Sequence, residues 1–388
     1  MLWIQSDGVW GVAYWIGGAC IAASILGAIY ACIATWTLAL FTRRRAAESL
    51  TFPSVSLLKP LHGDEPGLYD NLRSFCVQDY PGALQIVLGV QDPEDPAIAV
   101  VRRLQAAYPA LDIVLTIGAV GQGGNRKIAN LTNMAPKATA EVFIISDSDV
   151  RVAPDHIRRV VGALQAPQVG LITCLYRGRP TGGLWSTLAA MDVDYRFAPS
   201  VGLALKFGLA HPCLGPTMAL RRGLLEEIGG FPYLSDFLAD DYELGRAVRE
   251  RGHRLAFAPG LIEHLCPERS AREMLTHEFR WARTVRLIEP AGYFGSGITH
   301  FWVLALIGMA LTGFAGWSVI TLATLTLLRL ALVALTSRFT GANLKGLALT
   351  PFRDLLSFGV FVGAFFGDRV EWRGAQLQLG RTGEVTIC

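Results

Sequence analysis

Charged residues are scarce in this chain: Asp, Glu, Lys and Arg make up 17 % of the 388 residues, against 52 % hydrophobic ones. That is an apolar bias for a soluble protein. It is concentrated at the two ends, and the middle reads as an ordinary globular domain. A net charge of +3 is too small to suggest a nucleic-acid partner, and none is expected. The seven cysteines include no CxxC pair and show no regular spacing, so they read as reduced, mostly buried thiols in a reducing compartment. No basic n-region precedes the first apolar stretch, which is also too long for a signal h-region. Neither a GxGxxG fingerprint nor a Walker A loop is present, so neither a dinucleotide nor ATP is indicated.

What is present begins with an uncharged run over residues 9–42. It exceeds the roughly 20 residues a helix needs to cross the hydrocarbon core. Arg43, Arg44 and Arg45 follow, and the positive-inside tendency places the chain after them in the cytosol. A second apolar block covers residues 299–335, long enough for two short spans. Thr312, Gly313 and Gly316 are available for a turn, and Arg329 either snorkels or faces the protein. A third stretch, 351–366, has Arg353 and Asp354 near its start and is compatible with crossing, lying in the interface or re-entering. Two or three membrane helices are therefore expected at the C-terminal end. The expected division is an anchor over 1–45, a cytosolic domain over 46–295, and membrane helices with a short tail over 296–388.

In the middle, apolar runs at 55–58, 85–91, 112–117 and 142–146 alternate with helical patterns at 67–77 and 97–108. This order predicts an α/β fold, a parallel sheet with helices on both faces. Ligands of such sheets collect beyond the carboxyl ends of the strands. Asp92 stands at one such end, placed either to accept hydrogen bonds from a uracil or ribose or to close a turn before Pro93. Asp147-Ser148-Asp149 stands at another. Residues i and i+2 of extended chain share a face, and two carboxylates there are most simply relieved by a divalent cation, Mg²⁺ or Mn²⁺, which also bridges a diphosphate.

Asp240 and Asp241 open a helical pattern that runs through Arg249. One reading is an N-cap; the other is a general base for an acceptor hydroxyl, kept ionised by the helix N-terminus. His277-Glu278-Phe279-Arg280-Trp281 lies on a further helical stretch. Arg280 offers a bidentate fork for phosphate, and Trp281 a flat face for a sugar or acceptor. The loop 121–130, GQGGNRKIAN, carries Arg126 and Lys127 and is suited to cradling a diphosphate. Residues 184–209 hold Trp185, Leu188, Met191, Phe197 and Phe207 with few charges, and read as an interfacial lip or as core.

Together these stretches resemble the ceramide glucosyltransferase family, membrane enzymes with a GT-A (Rossmann-like) nucleotide-sugar domain. The likeness rests on SLLKPLHG, LRSFCVQDYP, VQDPEDPAIAVVRRL, NRKIANL, ISDSDVRV, LADDYELG, the Arg-Trp pair at 280–281 and a late EWRG at 371–374. It implies a hexosyltransferase acting from a UDP-sugar on a membrane lipid. By position, Asp92 would contact uracil or ribose, Asp147 and Asp149 would hold metal and diphosphate, and Asp241 would be the base. Lys127, Asp240, His277, Arg280 and Trp281 would bind substrate. His277 departs from the family, which has Gln or Arg there. The wording LLKPLHG, the NRK loop and HEFRWARTVR are similar to the bacterial hopanoid-associated branch. That implies N-acetylglucosamine transfer to a bacteriohopanetetrol-type lipid at a bacterial inner membrane, with glucose and ceramide as the alternative pair. A processive polysaccharide synthase shares the acidic sites but needs an export channel, for which these spans are few. A non-catalytic sensor would be expected to lack one of the acids.

Overall fold

The computed structural model describes residues 4–44, 51–118, 124–342, 344–372, 375–380 and 385–387. Arg45 and Gly121 to Gly123 lie outside the described residues. The chain begins with one long helix, α1 (Ile4–Thr42), whose part Gly11–Thr42 is long and apolar enough to cross a membrane. The following strands are β1 (Val55–Pro60), β2 (Leu84–Val90), β3 (Asp112–Ile117), β4 (Val142–Ser146), β5 (Val150–Arg151), β6 (Val169–Pro180), β7 (Thr217–Arg221) and β8 (Arg254–Cys266). They form one sheet in the order β3-β2-β1-β4-β7-β6-β8-β5.

The four strands expected from apolar runs are β1 to β4, and they lie side by side in parallel. The other half corrects the expectation of a purely parallel sheet, because β7 runs antiparallel to both β4 and β6. No strand–helix–strand crossover produces β7; it returns beside β4 after a long helical excursion. Helices α2 (Leu68–Cys76), α3 (Ala97–Ala107), α4 (Arg126–Met134) and α5 (His156–Leu164) flank the sheet. Alternation along β1 feeds two cores. Val55 and Leu57 pack with α2, α3 and α5, while Leu58 packs with α4 on the opposite face.

The excursion before β7 is a bent rod: α6 (Gly183–Asp192), a π-helical turn (Val193–Phe197) and α7 (Ala198–Phe207). Gly202 of α7 crosses α1 at Leu38, so close that a Cβ there would stand 3.2 Å from the Leu38 amide nitrogen. The rod answers both readings of 184–209: Leu188 and Met191 are buried, while Leu184, Phe207 and Leu209 are exposed.

The remaining elements are α8 (Arg222–Ile228), α9 (Asp240–Glu250), α10 (Ala271–Ile288), α11 (Pro290–Gly295), α12 (Phe301–Leu311), α13 (Gly316–Thr340) and α14 (Thr350–Gly363). A small antiparallel sheet, β9 (Arg369–Trp372), β10 (Ala375–Leu379) and β11 (Val385–Ile387), ends the chain. Pro290–Leu311 and Gly316–Thr340 join Gly11–Thr42 as helices long and apolar enough to cross a membrane. The turn between the last two uses Gly313 at φ 63°. At about 1.5 Å per residue, the 14-residue α14 falls short of a hydrocarbon core of about 30 Å. It is also amphipathic in the inverted sense. Arg353 and Ser357 are buried against the protein, while Phe352 and Leu355 are exposed. Arg329, mid-way along α13, faces the protein: it donates to both Asp354 oxygens at 2.9 and 2.7 Å and to the Tyr195 carbonyl at 3.2 Å.

Candidate active site

The loop after β4 is held from several directions. The buried run VFIIS ends, and the Asp147 amide donates to the Pro216 carbonyl at 3.1 Å. Lys59, fully buried in β1, donates to the Asp147 carbonyl at 2.7 Å and to Ser146 Oγ at 3.3 Å, with its ammonium 4.0 Å from the Phe75 ring centre. Burial pushes the Lys59 amine down to about 7, against the pull of Asp147, Asp149 and Glu65. Asn71 donates to the Ser148 carbonyl at 3.1 Å, Ser148 Oγ donates to Glu65 at 2.6 Å, and the Leu265 amide donates to the Asp149 carbonyl at 2.9 Å. With the backbone fixed in this way, the Asp147 and Asp149 side chains stay half-buried at the strand end.

Each of these carboxylates has its own basic partner. Asp147 Oδ1 lies 2.8 Å from Lys127 Nζ, and Asp149 Oδ2 lies 3.3 Å from His264 Nε2. Burial opposes the charge on both members of the Asp149–His264 pair. Their mutual attraction prevails, holding the Asp149 carboxyl down at about 2 and the imidazole well above its usual range. Asp149 Oδ1 is buried without a hydrogen-bond partner. A free anionic oxygen beside a second carboxylate fits a divalent cation. Among the described residues no cluster of three or more His, Cys, Asp or Glu side chains is close enough to enclose an ion.

Lys127 reaches this point from the first turn of α4. Asn125 caps the helix, accepting from the Lys127 and Ile128 amides at 3.0 and 3.2 Å, and its amide group donates to Phe237 O at 2.8 Å and Asp240 Oδ1 at 3.3 Å. One Asn therefore ties α4 to the start of α9. Lys127 Nζ also lies 3.5 Å from Asp240 Oδ2. Burial alone would lower the Lys127 amine, but the carboxylates of Asp147 and Asp240 outweigh it and hold it above its usual range.

The structure answers the N-cap reading of the acid pair. The N-cap of α9 is Ala239, with no side-chain cap, and Asp240 and Asp241 form the first turn. Asp241 Oδ1 accepts the Tyr242 amide at 2.8 Å, and its carboxylate also accepts the Gly215 amide. A Cβ at Gly215 would stand 3.1 Å from Asp241 Oδ2, so glycine keeps this approach open. Burial first, and the Asp240 charge second, raise the Asp241 carboxyl to about 6, while Lys127 partly offsets them. A carboxylate tuned toward neutrality beside a paired Lys–Asp cluster is equipped to take up a proton.

Helix α10 is capped by Ser270, whose Oγ accepts the Glu273 amide at 3.2 Å, while Glu273 reaches back to accept the Arg269 amide at 2.8 Å. His277 Nδ1 lies 2.8 Å from buried Glu268, and burial keeps this imidazole below its usual range despite that contact. One turn on, the Trp281 ring lies edge-on to His277 at 5.0 Å and stands 6.4 Å from His264 and 6.3 Å from Phe197. Trp281 thus reaches the Asp149 side of the site. Arg280 is half-buried beside it.

The expected residues Lys127, Asp147, Asp240 and Asp241 are brought together, with Asp149, His277 and Trp281 linked through His264. Asp92 stands apart. It is exposed and accepts the Glu94 amide at 2.9 Å, and among the described residues it makes no hydrogen bond or ion pair to this cluster. Of the EWRG stretch, Glu371 and Trp372 lie in β9, their side chains outside the described residues along with Arg373 and Gly374. Lys59, Asn125, Gly215 and His264 are structural partners that sequence reasoning missed; only Lys59 and Asn125 fell inside stretches it had singled out.

The profile of a family described as glycosyl transferase family 21 matches residues 19–385. Ceramide glucosyltransferase 3 of Caenorhabditis elegans is 24 % identical over 360 residues, covering 88 % of this chain and 76 % of that protein. An N-acetylglucosaminyltransferase of Rhizobium meliloti (strain 1021) is 24 % identical over 326 residues, covering 75 % of this chain and 74 % of that protein. Among solved structures, a mannosyltransferase from Pyrobaculum calidifontis in complex with GDP-Man and Mn²⁺ superposes with a TM-score of 0.51 at 19 % identity, covering 91 % of this chain and 99 % of that one. This last likeness is one of fold, the GT-A arrangement.

Proposed function

The chain belongs to glycosyl transferase family 21, and from that membership we propose that it transfers a sugar from a UDP-sugar to the hydroxyl of a membrane lipid with inversion at the anomeric carbon. The observation that carries the proposal is Asp241: a carboxyl raised to about 6 at the first turn of α9, beside the Lys127–Asp147 pair at the end of β4. The lipid hydroxyl gives its proton to Asp241 as its oxygen attacks the anomeric carbon. The bond to the UDP oxygen breaks with its electron pair, and an α-linked donor yields a β-linked product.

Asp147 and Asp149 would hold the divalent cation, Mg²⁺ or Mn²⁺, which when bound offsets the charge on the departing diphosphate. Lys127, kept protonated by its carboxylates, adds a fixed positive charge on the same side, and Asp240 orients it. Asp92 contacts the uracil or ribose. His277, Arg280 and Trp281 close over the diphosphate and acceptor.

The donor sugar of this reading is N-acetylglucosamine and the acceptor a bacteriohopanetetrol-type hopanoid. Similarity to the Rhizobium meliloti N-acetylglucosaminyltransferase supports the sugar, and the sequence stretches LLKPLHG and HEFRWARTVR support the acceptor. Similarity to ceramide glucosyltransferase 3 favours a second pairing, UDP-glucose with ceramide. Residues 1–45 anchor the chain, 46–295 form the cytosolic transferase domain, and 296–388 hold the C-terminal helices of a bacterial inner membrane and a short tail. A soluble donor and an embedded acceptor then meet at one surface. Asp241→Asn tests the mechanism: transfer falls by about 10²–10⁴-fold while calorimetric UDP-sugar binding persists. Near-normal turnover in that variant would sink the base assignment.

A further inference from the structure

Three helices distant in sequence meet at one buried guanidinium. Arg353, in the first turn of α14, has a side chain only 2 % exposed. Its Nη1 and Nη2 donate to the two oxygens of Glu278 at 2.6 and 2.8 Å, a bidentate fork. Nη2 also donates to Asp192 Oδ1 at 2.9 Å, and Nε donates to Ser357 Oγ at 3.0 Å. Ser357 Oγ donates in turn to Asp192 Oδ1 at 2.9 Å, and Arg196 donates to both Asp192 oxygens at 2.9 and 2.6 Å. Two cations and two anions thus close a neutral cluster where α6, α10 and α14 join.

A buried ion cluster is weak evidence for stability, since well-packed apolar side chains do as well. What it adds here is orientation: a planar fork on a carboxylate admits one relative placement of the two helices. Helix α10 needs such an anchor. It fully buries Met274 and packs Leu275 and Trp281 partly against the neighbouring cores, so polar contacts share with packing in fixing its rotation about its axis. Its C-terminal half is tied by Arg283 to the Arg369 carbonyl at 2.6 Å and by Arg286 to the Gly367 carbonyl at 2.9 Å. Glu278 is one of two polar anchors in the turn that matters, beside the contact of His277 with Glu268, and it precedes Arg280 and Trp281 by two and three residues. On the other side of the fork, α14 turns Phe352, Leu355 and Val362 outward and packs against α12, part of the apolar stretch Pro290–Leu311.

We propose that Arg353 is a positioning residue for sugar transfer: from the lipid-facing helix α14 it fixes α10 through Glu278, and so sets Arg280 and Trp281 over the site. This rests on the role given to α10 in the proposed function.

The test compares wild type, Arg353→Lys, Glu278→Gln and the double variant, all as full chains in nanodiscs. Arg353→Lys keeps the charge and loses the fork; Glu278→Gln keeps the shape and loses the charge. Hydrogen exchange in peptides covering 271–288 rises by about tenfold or more in either single variant, with the peptides covering 55–60 and 142–146 protected as in wild type. kcat falls by about 10²-fold with little change in donor KM, as misplacement rather than lost binding requires. The double variant is no worse than the poorer single, because both remove one contact. Unchanged exchange in α10, or losses that multiply in the double variant, would overturn the proposal. If Arg353→Lys does not fold, Glu278→Gln alone decides by the same two readouts. A wild type that transfers no sugar from a UDP-sugar to any lipid sinks the functional reading, while the exchange result still decides whether Arg353 fixes α10.

Discussion

Lys127 Nζ and Asp147 Oδ1, 2.8 Å apart, join the first turn of α4 to the end of β4 at the heart of the site. The same ammonium partly offsets the burial and the Asp240 charge that raise the Asp241 carboxyl.

The pH profile of transfer follows from this. Asp241 acts as a base only when ionised, so kcat is flat above about 6 and falls about tenfold per pH unit below it. Removing the positive charge in Lys127→Met raises the Asp241 carboxyl further, and the acid limb moves to higher pH. Initial rates from pH 5 to 8 in both proteins measure the shift; an acid limb unmoved or moved downward contradicts the arrangement.

Asp241 also makes a statement about stability. Its folded-state value lies above the ordinary 3.8, so folding favours the protonated form. The group therefore supports the fold fully below about 4 and loses that contribution as pH rises through about 6. Asp241→Asn, neutral at every pH, is expected to melt a few degrees above wild type at pH 8, with the gap closing as pH falls toward 4. Thermal melts across that range check the sign. A variant that melts well below wild type at pH 8 would place Asp241 among the structural carboxylates.

The orphaned Asp149 Oδ1 gives a third expectation. Transfer stops in excess EDTA and returns on adding Mn²⁺ or Mg²⁺. Asp149→Asn weakens the binding of UDP measured in the presence of Mn²⁺ by about tenfold or more, and much less in its absence. Equal UDP affinity with and without the ion, in wild type, would remove Asp147 and Asp149 from the metal role.

How far the sequence alone reaches is clear from particular elements. Apolar runs located β3 and β4 to the residue and β1 and β2 within two; β1, β2 and β4 are largely buried parallel strands and read as continuously hydrophobic, and β3 at the sheet edge is apolar over 113–115. The pair β6 and β8 was not legible. It spans 12 and 13 residues, but a register irregularity between Cys174 and Tyr176, and Pro259-Gly260 within β8, break the pattern a single strand would show. His264 was invisible for the same reason: only the pairing of β5 with β8 brings it to Asp149. Asp147, Asp240 and Asp241 stood out because acids at a strand's carboxyl end and at a helix start have a chemical signature. Asp92 stands just past the end of β2, where its carboxylate also closes a turn by accepting the Glu94 amide. Arg353 was seen only as a charge at the start of a doubtful span; that it ends in a buried fork with Glu278 depends on contacts no local pattern encodes.

The most direct measurement is the structure of the product. The wild-type chain, expressed in a host supplied with hopanoid and ceramide acceptors and both UDP-N-acetylglucosamine and UDP-glucose, is followed by lipid mass spectrometry, and the anomeric configuration of the purified product is read by NMR. The predicted result is a single N-acetylhexosamine on a hopanoid hydroxyl in β-linkage, absent when Asp241 is replaced by Asn. A polymeric product, an α-linkage, or no sugar on any lipid would contradict the account.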